Sequence, residues 1–256
     1  MFFRKKQKNI LRVPKIYSAP KDQIKKPVPK IVKYIILILV ILSGLVYVLF
    51  FSSIFTVKSI NTEGNPSDET LTYLDQFKGK NIFMIRAKEI ASVVKEKNTQ
   101  FKTVDVSLGI PSTFRVIFEE RLPVVVWQTN GKNYLLDENA IAFKQVDTPS
   151  QDLITIVDNK NIEVNPPVQI ASSNFIDFLK SVNSKMGQLD MKIVKFEVGE
   201  TTFQVDAVTD KNIKIIFDTT RSVTDQMDAA EKTYKEKKDE IKQYMDVRVE
   251  GKVYYQ

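Results

Sequence analysis

The sequence contains, from Tyr34 to Val57, the uncharged stretch YIILILVILSGLVYVLFFSSIFTV, which Lys33 and Lys58 bound. A bilayer core about 30 Å thick requires about 20 helical residues, so an apolar run of this length predicts a transmembrane helix. The alternative is a cleaved signal peptide. The run is longer than a signal peptide's apolar core, and Phe51–Phe55 lacks a small-residue cleavage site. We therefore expect an uncleaved membrane anchor.

The charge is distributed unequally on the two sides of this stretch. Residues 1–33 contain eleven Lys or Arg and one acid, whereas the rest of the chain contains 27 basic and 30 acidic residues. The positive-inside rule places such a tail in the cytoplasm and the remainder across the membrane. The lysines and prolines of the tail predict disorder. Nucleic-acid binding by this arm is the weaker interpretation, because no recognition motif accompanies the charge.

The chain contains neither cysteine nor histidine. The region outside the membrane therefore has no disulfide and must fold on its hydrophobic core. The lack of histidine removes the commonest general base, the commonest metal ligand and the usual partner of a catalytic serine. We predict no catalytic residues, no metal and no cofactor.

The residues directly after the apolar stretch predict the order strand, helix, helix, strand, strand. A loose alternation at 55–62 indicates a strand, and Ser67 is a good N-cap for a helix that begins with two acids. A second helix is expected from Ala87 to Lys97, where apolar residues recur at helical spacing. Alternating residues on both sides of a turn at 109–112 predict a hairpin.

The remainder is predicted to be rich in strands. Asn130-Gly131 lies between two apolar segments and is a strong hairpin signal. Helices are expected from Ser172 or Ser173 to Met186 and after Ser222, the latter with an apolar stripe that reaches Ile241. The last segment, Met245 to Tyr255, alternates apolar and polar residues and predicts one strand suited to a sheet edge. Three more strands are expected at 193–198, 203–207 and 213–217.

Five motifs follow the membrane helix. They are Gly79–Phe83, Pro111–Val116, Glu119–Trp127, Leu135–Phe143 and Met245–Tyr255. The most specific is E-R-x-P-V-x-x-W at 120–127, directly after the predicted hairpin. A short basic tail, one membrane helix and these motifs in this order resemble the FtsQ/DivIB family of bacterial cell-division proteins.

The resemblance implies an α+β fold with an N-terminal single transmembrane helix. A POTRA domain of β-α-α-β-β order and a C-terminal mixed β-domain with flanking helices would follow it. The expected bounds are 1–33 for a basic disordered cytoplasmic tail, 34–54 for the helix, 55–122 for the POTRA domain and 123–256 for the β-domain. The implied location is the plasma membrane at the division septum, with a single span and the C-terminal domains outside the cytoplasm.

The resemblance also implies a non-catalytic scaffold of the division machinery. Its partners would be small single-span proteins, FtsB/DivIC-like and FtsL-like, which link it to septal peptidoglycan synthesis, with no nucleic acid and no small-molecule substrate. Strand addition fits the terminal segment, because an edge strand offers free N–H and C=O groups. The alternative is an internally paired strand with solvated charges. The predicted partner-binding residues are Asp246, Arg248, Val249, Glu250, Lys252, Tyr254 and Tyr255.

The expected junction of the two domains carries Glu120, Arg121 and Pro123. One interpretation is a contact surface or a fixed interdomain angle, with the proline restricting the backbone. The other is an exposed ion pair that contributes at most about 1 kcal/mol. Nearby, Trp127 is expected in the core, and the polar residues at 137–139 are expected to form a turn.

Two other classes of protein remain as alternatives. A membrane-anchored envelope enzyme such as a peptidoglycan hydrolase would need paired carboxylates or a Ser–Lys dyad. The sequence does contain Ser92-Val93-Val94-Lys95, but on a predicted helix whose valines belong to the core. A POTRA-type transport or chaperone component would show repeated POTRA units or a membrane barrel, and neither pattern is visible.

Overall fold

The computed structural model describes residues 29–150 and 152–256. It forms two compact units, the helix that ends at Phe51 and the region 52–256. The predicted fold class is confirmed, since an N-terminal apolar helix is followed by a mixed α/β region with a large β-sheet. Most of the expected basic tail, residues 1–28, lies outside the described residues.

The helix α1 runs from Lys30 to Phe51. Within the described part of the chain it is the one helix long and apolar enough to cross a membrane. It begins four residues before the expected Tyr34, because lysine is a good helix former and its long side chain lets the charge reach water from a helix end. After Phe51, the Ser52 hydroxyl caps a short 3-10 turn, Ser53–Phe55, by accepting the N–H of Ile54 at 3.2 Å.

The first part of the 52–256 unit is a three-stranded sheet with two helices. The strand order is β1-β3-β2, with β1 parallel and β2 antiparallel to β3. This reproduces the predicted order strand, helix, helix, strand, strand. The elements are β1 Ser59–Glu63, α2 Asp68–Asp75, a 3-10 turn Ile82–Met84, α3 Ala87–Lys97, β2 Phe101–Gly109 and β3 Thr113–Glu120.

Local capping and packing explain these elements. The Ser67 hydroxyl accepts the N–H of Thr70 at 3.3 Å, so Ser67 caps α2 as predicted. Ile90 and Val94 form the buried stripe of α3 and pack with Phe114 in one core. The first strand begins at Ser59 rather than at 55, because the chain before it forms the 3-10 turn.

The second part is a ten-stranded mixed sheet. Its strand order is β13-β12-β11-β10-β9-β7-β4-β5-β6-β8. The strands are β4 Val125–Thr129, β5 Lys132–Leu136, β6 Ile141–Val146, β7 Ile154–Asp158, β8 Val168–Gln169, β9 Ile193–Val198, β10 Gln204–Thr209, β11 Lys214–Asp218, β12 Tyr244–Asp246 and β13 Tyr254–Tyr255.

Two helices, α4 Ser173–Lys185 and α5 Val223–Lys237, share one core with this sheet. The rings of Phe178 on α4 and Phe217 on β11 lie 6.1 Å apart. Trp127 is buried in the same core, as expected. The apolar stripe predicted for α5 extends beyond the helix, since Ile241 is buried after the helix has ended.

Candidate functional site

The predicted partner-binding segment lies at one edge of the ten-stranded sheet. β12 pairs in parallel with β11, and β13 pairs antiparallel with β12. Among the described strands, β13 is therefore the outermost on this side. An edge strand presents unpaired backbone groups along its outer side.

The hydrogen-bond pattern shows which backbone groups of β13 face outward. Tyr244 and Gln256 exchange both hydrogen bonds, with N–O distances of 3.3 and 3.2 Å. Opposed residues alternate along an antiparallel pair, so the next pair, Met245 and Tyr255, is the non-hydrogen-bonded kind. The N–H and C=O of Tyr255 therefore point away from β12, toward the free edge.

The prediction of one continuous strand from Met245 to Tyr255 is wrong. The chain leaves β12 after Asp246, turns, and returns as β13, with Gly251 at φ +69° in the turn. Positive φ is readily adopted by glycine because it has no Cβ. The alternation also fails: Val247 is buried, whereas Val249 is exposed on the turn with Glu250 and Lys252.

The turn is held by two arginines. Arg248 donates from Nε to Asp246 Oδ1 at 2.9 Å and from Nη2 to Asp246 Oδ2 at 2.7 Å. Its Nη1 donates to Oε1 of Gln204 on β10 at 2.5 Å. Arg221 donates to the backbone carbonyl of Arg248. Asp246 and Arg248 thus fix the shape of the turn, while Val249 and Tyr254 present exposed apolar surface.

The same contacts perturb the ionisation of the pair. The hydrogen bond from Arg248 lowers the pKa of the Asp246 carboxyl, although partial burial opposes the shift. The hydrogen bond to Asp246 raises the pKa of Arg248. Both groups therefore remain charged around neutral pH, with the carboxylate accepting two bonds from one guanidinium.

A second charged cluster lies on the neighbouring strands. Lys214 on β11 contacts Glu197 on β9 at 2.9 Å and Asp206 on β10 at 3.3 Å. Its hydrogen bond to Glu197 raises the pKa of Lys214. Hydrogen bonding from Lys195 lowers the pKa of Glu197. The charges of Lys214, Glu197 and Asp206 are therefore mutually satisfied across β9, β10 and β11.

The expected domain junction contains a buried ion pair. Arg121, directly after β3, donates from Nη1 to Asp137 Oδ2 and from Nε to the carbonyl of Thr99 at 3.2 Å. The side chains of Arg121 and Asp137 are only 9% and 4% exposed. The alternative of an exposed pair is wrong for Arg121. Its actual partner is the aspartate in the turn between β5 and β6.

Other contacts surround this pair. Lys102 contacts Glu138 at 3.1 Å, and the Thr99 hydroxyl donates to the carbonyl of Phe143 at 2.6 Å. The hydrogen bond to Glu138 raises the pKa of Lys102. The other two predicted junction residues, Glu120 and Pro123, are exposed. The junction is therefore polar, with Arg121 at its buried centre.

The polar residues at 137–139 form the turn that was predicted. The Asp137 carboxylate accepts the N–H of Asn139 at 2.9 Å and that of Ile141 at 3.0 Å. In the stretch Ser92-Val93-Val94-Lys95, the Ser92 hydroxyl donates to the carbonyl of Lys88, one turn back in α3, at 3.0 Å. No group of three or more carboxylates able to hold a metal ion occurs in the described ranges.

Sequence reasoning missed three residues that shape these sites. Arg221 and Gln204 hold the terminal turn from distant elements, and nothing in their local sequence indicates it. Asp137 was placed in a turn, but its pairing with Arg121 depends on the sheet topology. The two strands β7 and β8 were also missed, although β7 lies between β4 and β9 in the sheet.

Comparisons with known proteins identify the second part of the chain. Residues 125–248 match the family described as "Cell division protein FtsQ/DivIB, C-terminal". This range covers β4 to β12 and includes Arg248 of the edge turn.

Several curated relatives carry the name "Cell division protein FtsQ". The chain is 28% identical to the protein of Chloroflexus aurantiacus over 142 residues, 51% of this chain and 52% of that protein. It is 29% identical to that of Chloroflexus aggregans over 131 residues, 50% of this chain and 47% of the relative. With the Rickettsia bellii protein it shares 32% identity over 106 residues, 40% and 39% of the two chains. The chain thus matches about half or less of the length of these relatives.

Proposed function

Because this chain belongs to the FtsQ/DivIB family of cell-division proteins, we propose that it is a non-catalytic scaffold of the division machinery. It binds small single-span proteins of the FtsB/DivIC and FtsL kinds and links them to septal peptidoglycan synthesis. The helix α1 anchors it in the plasma membrane at the septum, with the N-terminal tail in the cytoplasm. Residues 55–122 form the POTRA domain and 123–256 the family's β-domain.

One observation carries the proposal: the outward N–H and C=O of Tyr255 on the outermost strand β13. A partner segment in extended conformation adds there as an eleventh strand and pairs through its backbone. The exposed side chains of Val249, Glu250 and Lys252 in the adjoining turn, and that of Tyr254 on β13, then contact the partner. Asp246 and Arg248 hold that turn in place.

The test compares two variants of the full chain. Tyr255→Pro removes the outward N–H and leaves the ladder bonds between β12 and β13 intact, because Tyr255 belongs to a non-hydrogen-bonded pair. Tyr255→Ala is the matched control, since it removes the same side chain and keeps the N–H. Each is expressed in dividing cells and purified from detergent-solubilised membranes, and the co-purifying proteins are identified.

We expect the Tyr255→Ala chain to retain small single-span division proteins and the Tyr255→Pro chain to lose most of them. Equal retention by both variants, with both folded, would exclude strand addition at β13. A version truncated after Tyr244 provides a second comparison. If the unmodified chain captures no division protein at all, the scaffold function itself is wrong.

A further inference from the structure

Four large apolar side chains from three separate segments of the chain are exposed on the part of the protein that contains the three-stranded sheet. Ile54, Phe83, Met84 and Ile110 are 53%, 43%, 64% and 73% exposed. Together they are called the apolar tip below. Scattered exposed apolar residues are ordinary, whereas a shared location indicates a contact surface.

Backbone hydrogen bonds bring the segments of the apolar tip together. The N–H of Val57 donates to the carbonyl of Lys80, and the N–H of Gly79 donates to the carbonyl of Val57, both at 2.9 Å. On the other side, the N–H of Lys58 donates to the carbonyl of Ser112 at 3.1 Å. The segments 53–58, 79–84 and 110–112 therefore lie side by side.

Ring packing and strand register confirm this arrangement. The rings of Phe55 and Phe83 are 5.3 Å apart. The parallel strands β1 and β3 both begin here, with Ser59 opposite Thr113. The apolar tip is thus one end of the sheet, and Leu122, beyond the other end of β3, is roughly 25 Å away at about 3.3 Å per residue.

The charged residues within the segments of the apolar tip are all basic. The segments 53–58, 79–86 and 109–113 contain Lys58, Lys80 and Arg86 and no acidic residue. All three basic residues are exposed, and Arg86 contacts Glu89 from the next turn at 2.9 Å. An apolar surface with a basic border is complementary to a membrane with anionic head groups.

The chain itself limits how far the apolar tip can be from a bilayer. Ile54 follows Phe51, the last residue of α1, by three positions. Three residues span at most about 11 Å when fully extended. If α1 crosses the membrane, as its length and composition indicate, Ile54 stays close to the bilayer surface in any orientation of the 52–256 unit.

We propose that the apolar tip inserts into the interfacial layer of the plasma membrane, on the side away from the cytoplasm. Lys58, Lys80 and Arg86 then lie at the level of anionic head groups. Phe and other large apolar side chains of interfacial segments bury into the boundary between head groups and acyl chains. This insertion rests on the membrane topology proposed above and is independent of partner capture at β13.

The experiment uses the full chain, which contains no cysteine, so that single-cysteine variants carry one spin label each. The variants Met84→Cys and Ile110→Cys report on the apolar tip, and Leu122→Cys is the control, since Leu122 is 76% exposed and lies beyond the opposite end of β3. Each is reconstituted in vesicles of phosphatidylglycerol and phosphatidylcholine. Power saturation then compares collisions with oxygen, which concentrates in lipid, and with a water-soluble nickel chelate.

Labels at 84 and 110 are expected to collide preferentially with oxygen, by several-fold relative to the label at 122. Labels at 84 and 110 that are as accessible to the nickel chelate as the label at 122 would overturn the proposal. In vesicles of phosphatidylcholine alone, the oxygen preference at 84 and 110 is expected to decrease. Unchanged circular dichroism of each variant verifies folding, and partner capture is measured separately.

Discussion

Arg121 and Asp137 form a buried ion pair that joins the end of the three-stranded sheet to the turn between β5 and β6. Because Arg121 also donates to the carbonyl of Thr99, one guanidinium contacts both strand-containing parts of the 52–256 unit. This pair is the buried centre of the proposed domain junction.

Removing the guanidinium should destabilise the protein strongly. Arg121→Leu leaves the Asp137 carboxylate buried without its partner, and losing one member of a buried pair costs about 3–5 kcal/mol. The matched control is Arg115→Leu, since Arg115 in β3 pairs with Glu63 at 2.5 Å with both side chains at least half exposed. Exposed pairs contribute at most about 1 kcal/mol.

The measurement is urea unfolding of the detergent-solubilised chain, followed by the fluorescence of Trp127, its single tryptophan. A similar loss of unfolding free energy in both variants would show that the buried Arg121 pair contributes no more to stability than the exposed Arg115 pair.

Substitution by alanine should destabilise the protein to different extents at two glycines with positive φ. Gly64 has φ +104°, and a Cβ there would lie 2.6 Å from the carbonyl oxygen of Phe118 in β3. Gly79 has φ +79° with open space around the position of a Cβ. Gly79→Ala should therefore cost about 1–2 kcal/mol from backbone strain, and Gly64→Ala should cost about 1–3 kcal/mol more because of the overlap.

Thermal unfolding of the two alanine variants, recorded by circular dichroism in the same detergent, gives the comparison. Equal melting temperatures would mean that the chain near Gly64 moves away from β3 without loss of energy.

The sequence predicted the elements with strong local signals. Ala87–Lys97 was predicted with the bounds that α3 has, and Asn130-Gly131 marked the hairpin of β4 and β5 correctly. The terminal segment shows the limit of such reasoning. Its alternation at Met245–Tyr255 matched a single strand, but Asp246 and Arg248 pair with each other and Gly251 turns the chain. A residue at φ +69° does not continue a strand, whose φ lies near about −120° to −140°, so the turn at Gly251 ends the strand although the side-chain alternation continues.

The site could be predicted only in part for a related reason. The motif Glu120–Trp127 was interpreted as a domain junction, and Arg121 within it is buried only because β3 ends next to the β5–β6 turn. Arg221 contacts the carbonyl of Arg248 because β11 and β12 are neighbours. Contacts of this kind are set by sheet order, which no local pattern in this sequence determines.

Loss of the Arg221 side chain should weaken partner capture with little loss of stability. Its guanidinium holds the carbonyl of Arg248, so Arg221→Gln frees the turn at 247–253. We expect several-fold less co-purified partner and faster amide hydrogen exchange in the turn. Lys232→Gln on the exposed face of α5 is the control. Unchanged capture with a faster-exchanging turn would show that the fixed turn is not required.

The pH dependence of the edge turn follows from the lowered pKa of Asp246. In the unfolded chain an aspartate titrates near pH 3.9, and in the folded chain the contact with Arg248 keeps the carboxyl ionised to lower pH. The stabilisation from this contact is therefore complete above about pH 3.9 and is lost as the pH falls through the lower, folded value. In Asp246→Asn it is absent at every pH.

The melting temperatures of the unmodified chain and Asp246→Asn should accordingly differ by a constant amount near neutral pH and converge in acid. Glu197, whose pKa is also lowered, titrates in both chains and cancels in the difference. A difference that persists unchanged to pH values well below about 3.9 would mean that the asparagine acts through packing. Convergence already at pH 6 would contradict the direction of the shift.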